Sequence, residues 1–463
     1  MAVDLIIEGG EVATVEGISR QSIAVDGGRI VAVGESGAMP RAEQVIDVAG
    51  KVILPGAIDA HTHFCEDLGI LAEPYETGTQ AAAAGGVTTV LLMPWDTPPI
   101  DSLEHFEYRR KYAEGRCYVD YTFHGTVLGS AASDAWRNLP ELASAGITAV
   151  KVLMVTDDPH FPHLDDGDLV GVLRIMKDLD LPLIVHAENH EMIVANRDRL
   201  VAEGRIDPLA HEEFRSSLSE NEAVRRLTYF AEQVGARVVV AHMSTAEGVL
   251  HTRDARDRGS EIYAEICPRN LWLSTVDLAE RGPWVKTGPP VRDPAEVEAL
   301  WPLLRDGSIS IISSDHAAWT KENKQAGEEN IWMADGGIPS VQEMLPLALD
   351  AVSRGRISLA DVVRLSSYNP SRIFGLRPRK GLLEPGYDAD LVVVDMERTE
   401  TLTSDLIKAY VGYSAFEGRE IKGWPVMTFV RGQLVMENNQ IVGAPAGRLV
   451  RRTPHNNKNG ESQ

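Results

Sequence analysis

Gly56-Ala57-Ile58-Asp59-Ala60-His61-Thr62-His63-Phe64 is the stretch that decides how this chain folds and what chemistry it can carry. An apolar run in it leads to two histidines two positions apart, His61 and His63, and Phe64 follows them. On a β-strand, side chains at i and i+2 point to the same face, so both imidazoles can reach one point beyond the strand's end. Imidazole suits zinc and similar divalent ions. Taken alone, the pair is equally compatible with two polar residues on a solvated strand face.

The residues around this stretch alternate between strand-like and helix-like segments. Many strand-like segments are continuous Val/Ile/Leu runs, as expected for parallel strands covered on both faces. About eight such units between residues 56 and 379 predict a (β/α)8 barrel of the TIM type. The alternative, an open doubly wound sheet, normally has a Gly-rich phosphate loop after its first strand. The predicted strands are Ala57–Phe64, Val87–Met93, Val119–Val127, Thr148–Val155, Leu183–His186, Arg237–Met243, Glu261–Ile266 and Ile309–Ser313.

The two ends of the chain have a different texture. Residues 1–55 and 380–442 contain short strand-like runs punctuated by Gly and Asp-Gly, which is typical of hairpins. We therefore predict one small β-sandwich domain built from both segments, with the barrel of residues 56–379 inserted between them. Residues 443–463 are basic and then polar, and are predicted to form a C-terminal tail.

Length and composition narrow the class of protein. The chain has 463 residues, a formal net charge of −23 and 44% hydrophobic residues, which is ordinary for a globular protein with a sizeable core. The acidic balance argues against a nucleic-acid partner or an anionic membrane surface. Cys65, Cys117 and Cys267 form no CxxC pair, which favours a reducing cytoplasm. We expect no signal peptide and no membrane span.

Chemistry-bearing side chains recur at the ends of the predicted strands. In a barrel of this type, the catalytic face lies at the C-terminal ends of the strands. A lone histidine there is more often a satisfied hydrogen bonder, and a lone aspartate is more often a helix N-cap. Their coincidence on one rim nevertheless favours a metal site. The set consists of His61, His63, Lys151, His186, His242 and Asp315.

Lys151 is unusual because it lies inside an apolar strand. Burying an ammonium group is costly, so burial lowers the pKa of a lysine and frees a nucleophilic amine. That amine can form a Schiff base, or it can add CO2 and become a carbamate, an anionic ligand with two oxygens. Beside four histidines and an aspartate, a carbamate that bridges two cations is the more economical interpretation.

These elements resemble the amidohydrolase superfamily, specifically its cyclic amidase branch of hydantoinases, dihydropyrimidinases, allantoinases and dihydroorotases. The resemblance covers essentially the whole chain and implies a barrel with a small β-domain. Besides the first stretch and Lys151, the matching segments are Gly85-Gly86-Val87-Thr88-Thr89, His186-Ala187-Glu188-Asn189, His242, Pro289-Pro290-Val291-Arg292, Ser314-Asp315-His316, Asn369-Pro370-Ser371-Arg372-Ile373-Phe374-Gly375 and Gly386-Tyr387-Asp388-Ala389-Asp390-Leu391.

The resemblance implies a binuclear metal-dependent hydrolase of cyclic amides. His61 and His63 would bind one divalent ion together with Asp315, and His186 and His242 would bind the second. The ions are expected to be Zn2+, with Mn2+ or Co2+ as alternatives. Such a pair lowers the pKa of a water molecule and polarises the scissile carbonyl.

The resemblance also gives a role to two single residues. Lys151 would be an N6-carboxylysine that bridges the two ions. Asp315 would be the general base that carries a proton from the attacking water to the leaving ring nitrogen. The complete ligand set argues against a non-catalytic scaffold of the same fold. Relatives are commonly homotetramers or homodimers, and we expect the same here.

Substrate contacts separate the branches of the family. Dihydroorotases usually have an arginine two residues after the second histidine, where this chain has Cys65. Dihydropyrimidinases and many D-selective hydantoinases usually have a tyrosine five residues after the bridging lysine, where this chain has Thr156. The sequence most resembles the L-selective hydantoinases, which form N-carbamoyl amino acids. Allantoinase is the next alternative, followed by dihydropyrimidinase or cyclic imide hydrolase.

Relatives commonly contact the substrate amide through backbone near the positions of Gly288, Gly336 and Gly337. Glycine permits such close approach, although ordinary turns would explain these residues equally well. The loops 65–75 and 155–164, which include Thr156, are expected to enclose the ring substituent. Predicted apolar contacts, each of which core packing would also explain, are Phe64, Leu68, Leu71, Trp95, Phe161 and Trp319.

Overall fold

The computed structural model describes residues 2–65, 71–129, 135–156 and 161–453. Parts of three predicted segments lie outside the described residues. They are 66–70, with Leu68, in the loop 65–75, then 157–160 in the loop 155–164, and the tail from residue 454 onward. None of the described helices has the length and apolar character that crossing a bilayer demands.

The strands of the described chain fall into four hydrogen-bonded sheets. They are β1 (Val3–Glu8), β2 (Glu11–Thr14), β3 (Gly17–Arg20), β4 (Ser22–Asp26), β5 (Arg29–Gly34), β6 (Ala42–Asp47), β7 (Val52–Pro55), β8 (Ala57–His63), β9 (Val87–Leu92), β10 (Asp120–Phe123), β11 (Gly125–Thr126), β12 (Val150–Leu153), β13 (Leu183–His186), β14 (Val238–Val240), β15 (Ile262–Ile266), β16 (Ile309–Ile312), β17 (His316–Ala317), β18 (Leu391–Thr401), β19 (Glu420–Val430), β20 (Gln433–Glu437) and β21 (Gln440–Ile441).

Most helices lie between the central strands, as a barrel requires. They are α1 (Tyr75–Ala84), α2 (Leu103–Ala113), α3 (Ala135–Ala145), α4 (Asp166–Asp178), α5 (His190–Ala202), α6 (Leu209–Phe214), α7 (Ser217–Val234), α8 (Ala246–Asp257), α9 (Arg269–Trp272), α10 (Thr275–Arg281), α11 (Pro294–Arg305), α12 (Lys321–Ala326), α13 (Met344–Ser353), α14 (Leu359–Val363) and α15 (Asn369–Ile373). Short 3-10 helices occupy Ser36–Ala38, Gly282–Val285, Ile331–Met333 and Ser404–Leu406, and a π-helical turn occupies Arg364–Tyr368.

Eight strand positions form the barrel, and two of them change partners along their length. β10 pairs with β9, whereas β11, which follows after His124, pairs with β12. In the same way β16 pairs with β15, whereas β17, which follows β16 after three intervening residues, pairs with β8. Because each position is linked to both neighbours, the order β8, β9, β10/β11, β12, β13, β14, β15, β16/β17 returns to β8. The predicted TIM-type barrel is confirmed.

Two sheets outside the barrel form the small β-structure at the chain ends. One contains β5-β4-β1-β6, and the other contains β21-β20-β19-β18-β7-β2-β3, so both termini contribute. Ile7, Ile53 and Val393 pack in one apolar core between these sheets. Leu54 and Val394, one residue further along their strands, pack instead with the barrel. The seven-stranded sheet is therefore covered on both faces, and the predicted β-sandwich is present.

The first part of the predicted C-terminal tail packs against the barrel. Leu449 forms a β-bridge with Tyr121, and the N–H of Val450 donates to the carbonyl of Tyr121 at 2.8 Å. Val450 is fully buried, which gives this segment an apolar anchor that a polar tail would lack. The exact domain boundaries remain predictions.

Lys380 joins the barrel to the β-sandwich through a buried charge cluster. Its Nζ lies 2.5 Å from Asp120 of β10, 3.1 Å from Asp388 and 2.5 Å from Asp390. Burial disfavours the ammonium, but the three carboxylates outweigh burial and raise the pKa of Lys380. The three acids are close enough to bind a metal ion, and the lysine ammonium lies among them.

Replacing Lys380 by methionine is expected to lower the free energy of unfolding by about 3–5 kcal/mol, because buried Asp390 loses its counter-ion. Asp120 and Asp388 keep an arginine partner each, Arg431 and Arg379. In the variant, burial raises the pKa of Asp390 above its unfolded value, so protonation stabilises the folded form as pH falls. The difference in unfolding free energy between wild type and Lys380→Met, measured by urea unfolding, should thus be smaller at pH 5 than at pH 8. Lys422→Met, which removes an exposed pair with Glu397, is the control with little effect. An equal deficit at both pH values would contradict this account.

Candidate metal centre

The predicted metal ligands all lie at or just beyond the C-terminal ends of barrel strands. The period-2 alternation that packs Ala149 and Ile184 inside the barrel also turns Lys151 and His186 inward, two residues later. All six residues are largely buried, and Asp315 is the most exposed of them, with 13% of its side chain accessible. They are His61 and His63 on β8, Lys151 on β12, His186 at the end of β13, His242 after β14 and Asp315 between β16 and β17.

The structure brings these side chains together. Asp315 Oδ1 lies 3.1 Å from His61 Nε2 and 3.3 Å from His63 Nε2. Ligand atoms of His61, His242 and Asp315 lie within 4.8 Å of one another. The ring of His186 lies 4.6 Å from that of His242, between centroids. The arrangement is that of one compact cluster, as the strand-end positions predicted.

Lys151 lies in this cluster, fully buried, and its Nζ has no hydrogen-bond partner among the described residues. Burial lowers the pKa of its amine to about 8. Beyond burial, the charge of Lys151 lowers the pKa of His63 and His242. A buried polar nitrogen without a partner costs about 1–3 kcal/mol, and a carbamate between cations would remove that cost. The residues therefore fit a metal centre.

The imidazoles are suited to metal binding because most of them are held neutral. Burial lowers the pKa of His63 to about 4 and also lowers the pKa values of His186 and His242. His61 differs: burial disfavours its charged form, but Glu265 and Asp315 raise its pKa. Its Nε2, although near Asp315, makes no hydrogen bond of acceptable geometry in the described chain. A cation bound at His61 Nε2 would take the place of the proton that a charged His61 carries there.

Two glutamates orient the histidines from behind. His61 Nδ1 lies 2.8 Å from Glu265 Oε1, which also accepts the backbone N–H of His242 at 3.1 Å. His186 Nε2 lies 2.6 Å from Glu188 Oε2, and Glu188 also pairs with Arg215. Burial opposes the charge of Glu188, but Arg215 and His186 outweigh it and lower its pKa to about 2. A carboxylate on one ring nitrogen fixes the other nitrogen for a metal ion.

Asp315 is held ionised by a second partner. Arg269, fully buried after β15, donates from its Nη2 to Asp315 Oδ2 at 2.7 Å. Burial raises the pKa of Asp315, but His61 and Arg269 outweigh burial and hold it well below its usual range. Oδ1 is consequently the oxygen left beside the imidazoles.

The backbone is strained at two of the predicted ligands. His242 has φ of +38° and Asp315 has φ of +49°, in the left-handed region that side chains other than glycine rarely adopt. Such conformations cost about 1–3 kcal/mol each and concentrate at functional sites. In both cases the turn ends a strand and points the side chain toward the cluster.

A cavity of about 520 Å3 begins at the ligand cluster. His63, His186, His242 and Asp315 line one end of it. Its remaining walls are rich in aromatic side chains, namely Trp95, Phe161, Phe214, Trp319 and Trp332. This cavity is the natural place for a substrate of mixed polar and apolar character.

Most of the predicted substrate contacts line this cavity, namely Gly288, Gly336, Gly337, Thr156 and Trp95. Phe64 requires a correction, because it is 2% exposed and packs edge-on against Tyr75 and His316. It directly follows His63, and alternation along the strand turns it to the opposite face, into the core.

Sequence reasoning gave no role to Glu188, Arg215, Glu265 or Arg269. Glu265 offered a signal, because a carboxylate inside the apolar segment Ile262–Ile266 has to be paired when buried. Arg269 and Arg215 lie in short helical or loop segments, where nothing in the sequence marks Arg269 as buried or Arg215 as the partner of Glu188.

A barrel with histidines, a buried lysine and an aspartate at its strand ends is typical of metal-dependent barrel hydrolases. Residues 52–435 match the model of the amidohydrolase family. The chain belongs to this family and is a cyclic amidohydrolase, as its sequence predicted.

Relatives of several substrate classes are similar over nearly their full length. The L-hydantoinase of Paenarthrobacter aurescens is 32% identical over 445 residues, covering 95% of this chain and 96% of that protein. The allantoinase of Rubrobacter xylanophilus is 34% identical over 456 residues, covering 97% and 98%. The solved structure of an L-hydantoinase (dihydropyrimidinase) from Arthrobacter aurescens has a TM-score of 0.94 and 30% identity, covering 97% of this chain and 100% of that chain.

Proposed function

We propose that this enzyme hydrolyses an amide C–N bond of a hydantoin-type ring and releases an N-carbamoyl amino acid. The observation that carries the proposal is the position of Lys151, buried and without a described hydrogen-bond partner among four histidines and Asp315, next to an aromatic cavity. In the reaction, the oxygen of water bonds to the ring carbonyl carbon, the C–N bond breaks, and a proton of that water passes to the leaving nitrogen.

The ligand set divides into two halves. The two histidines of β8 and Asp315 would hold one divalent ion, and His186 and His242 would hold the other, with Lys151 as N6-carboxylysine between them. Two ions of this kind, Zn2+ first, with Mn2+ or Co2+ as alternatives, supply Lewis acidity and a lowered pKa for water. The geometric fit of the buried nitrogens supports this assignment.

Asp315 is proposed to move the proton. Arg269 occupies Oδ2, so Oδ1 is the oxygen available on the side of the imidazoles. Oδ1 would accept a proton from the attacking water and pass it to the leaving ring nitrogen. Arg269 would hold the carboxylate in place and keep it ionised until the proton arrives.

The backbone of three glycines is proposed to bind the amide of the ring. The N–H and C=O of Gly288, the N–H of Gly336 and the C=O of Gly337 make no hydrogen bond to any described residue. All three glycines line the cavity. A cyclic amide presents one N–H and one or two C=O groups, which such donors and acceptors complement.

The cavity walls favour an apolar substituent on the ring. Five aromatic side chains line the space beyond the ligand cluster, beside the charged Arg197, Arg215, Lys286 and Asp335. Contact with the aromatic part of the wall stabilises an apolar group more than a polar one. Cys65, where dihydroorotases have an arginine, is buried, and its thiol lies 3.1 Å from the carbonyl oxygen of Leu71. It offers no cation to a substrate carboxylate.

Allantoinase is the second candidate function, because an allantoinase is as similar to this chain as the hydantoinases are. Allantoin carries a polar ureido substituent, which the aromatic walls accommodate less well. Dihydropyrimidinase and cyclic imide hydrolase follow. A cytoplasmic location and assembly as a homotetramer or homodimer remain predictions from the sequence.

A ring-opening assay of the metal-loaded enzyme tests the proposal. The substrates are hydantoin, 5-benzylhydantoin, dihydrouracil, allantoin, dihydroorotate and succinimide, with open-chain products quantified by chromatography. We expect the highest kcat/KM for 5-benzylhydantoin, at least about tenfold above allantoin, because an apolar substituent of this size contributes a few kcal/mol when buried. Dominant activity on dihydroorotate would contradict the role given to Cys65, and no opening of any ring would favour a scaffold.

A further inference from the structure

Residues 331–337 form a loop that closes one side of the cavity, and we call it the substrate loop. It includes Gly336 and Gly337, two of the three glycines proposed above to bind the ring amide. The inference that follows rests on that proposed function. It concerns how the loop keeps its unpaired backbone groups in position.

Three consecutive carbonyls of the substrate loop each accept a side-chain N–H from outside the loop. Lys286 Nζ donates to Ala334 at 2.5 Å, Lys324 Nζ donates to Asp335 at 2.9 Å, and Trp319 Nε1 donates to Gly336 at 3.1 Å. The N–H of Gly337 in turn donates to the carbonyl of Lys286 at 2.9 Å. These four bonds leave the Gly336 N–H and the Gly337 C=O as groups available to a ligand.

Lys324 is the least expected of these donors. It lies on α12, where it is fully buried, whereas Lys321 on the same helix is exposed. Burial and the nearby Lys286 disfavour its charge and lower its pKa to about 7. A lysine is costly to bury, so a buried lysine whose Nζ donates to a loop carbonyl indicates that it holds the loop in position.

The residue next to Lys324 holds the same point of the loop. Asn323 Nδ2 donates to the Asp335 carboxylate at 2.7 Å, and the N–H of Asp335 donates to Asn323 Oδ1 at 3.1 Å. Together with the bond from Lys324, α12 therefore engages the N–H, the C=O and the side chain of Asp335. Asp335 immediately precedes Gly336.

We propose that Lys324 is a positioning residue that anchors the substrate loop through Asp335, so that the Gly336 N–H and the Gly337 C=O present a fixed pattern to the substrate amide. Lys324 does not touch the substrate and takes no part in proton transfer. Its loss should weaken substrate binding in the ground state and the transition state alike, which raises KM and leaves kcat almost unchanged.

The test compares Lys324→Met with Lys321→Met in the full-length, metal-loaded enzyme. The first removes the buried donor but keeps an apolar stem, and the second is a matched change on the exposed side of the same helix. With 5-benzylhydantoin, we expect Lys324→Met to raise KM by about fivefold or more, the scale of a lost buried hydrogen bond, with kcat within about twofold. Lys321→Met should match the wild type. Equal KM values for all three proteins would overturn the proposal.

Amide hydrogen exchange measured without substrate separates this inference from the proposed function. Peptides covering residues 331–337 should exchange faster in Lys324→Met and unchanged in Lys321→Met, even if no tested ring is opened. If Lys324→Met fails to fold, Asn323→Ala removes the neighbouring contacts to Asp335 from a half-buried position. It should show the same effects at smaller size. Unchanged exchange in both variants would show that α12 does not anchor the loop.

Discussion

Alanine at position 151 is expected to abolish ring opening, with kcat/KM lowered by about a thousandfold or more. Lys151 Nζ lies fully buried among the ligands, without a hydrogen-bond partner in the described chain, and its carbamate would supply the proposed bridging oxygens. Loss of the bridge removes the charge stabilisation that two ions give a developing oxyanion, worth several kcal/mol. Steady-state kinetics with 5-benzylhydantoin measure the loss. Metal analysis should find about two ions per wild-type chain and fewer in the variant.

The size of the side chain that replaces Lys151 determines whether an added carboxylic acid can enter the site. Lys151→Ala leaves a cavity that a short carboxylic acid can enter, whereas Lys151→Met removes the amine and fills the space. Added acetate or propionate should therefore restore part of the activity and of the metal content in the alanine variant only. Activity above about a tenth of wild type in Lys151→Met would contradict the carbamate role, because methionine has no pair of oxygens with which to bridge two cations.

The barrel, and the convergence of the candidate metal ligands on one cluster, were predictable because each rests on a local pattern. His61 and His63 alternate along one strand, and Lys151 is anomalous within an apolar segment. The same period-2 alternation excludes Phe64 from the cavity, although the sequence interpretation placed it there. The same alternation along the strand therefore explains why the two histidines were predicted correctly to lie together and why Phe64 was misplaced.

The supporting residues were not predictable, because their partners are distant in sequence. Glu265 lies 204 positions from His61, and Arg269 lies 46 positions before Asp315. Lys324 looks like any surface lysine on a short polar helix until the fold buries it. The packed segment around Val450 shows the same limit, since two apolar residues, Leu449 and Val450, in a basic stretch give little local signal.

Asparagine at position 315 is expected to lower kcat by about 10²–10⁴-fold, the range that general-base catalysis supplies. The change keeps the shape of the side chain but removes its charge and its ability to take up a proton. The amide oxygen of the Asp315→Asn variant can still accept from Arg269, so the amide nitrogen would then face the imidazoles of His61 and His63. Folding should be preserved, and thermal unfolding of the variant checks this.

Metal content decides which of the two roles of Asp315 dominates. An Asp315→Asn enzyme that keeps about two ions but does not turn over has lost the proton acceptor, whereas one that loses an ion has lost a ligand. Asp315→Glu separates charge from position, because it retains a carboxylate but moves it by one methylene away from the bond to Arg269. It should be more active than the asparagine variant and well below wild type. A kcat within about tenfold of wild type in Asp315→Asn would remove Asp315 from proton transfer. Asp315 would then act only as a proposed metal ligand, with its side chain directed toward the cluster by its left-handed backbone conformation.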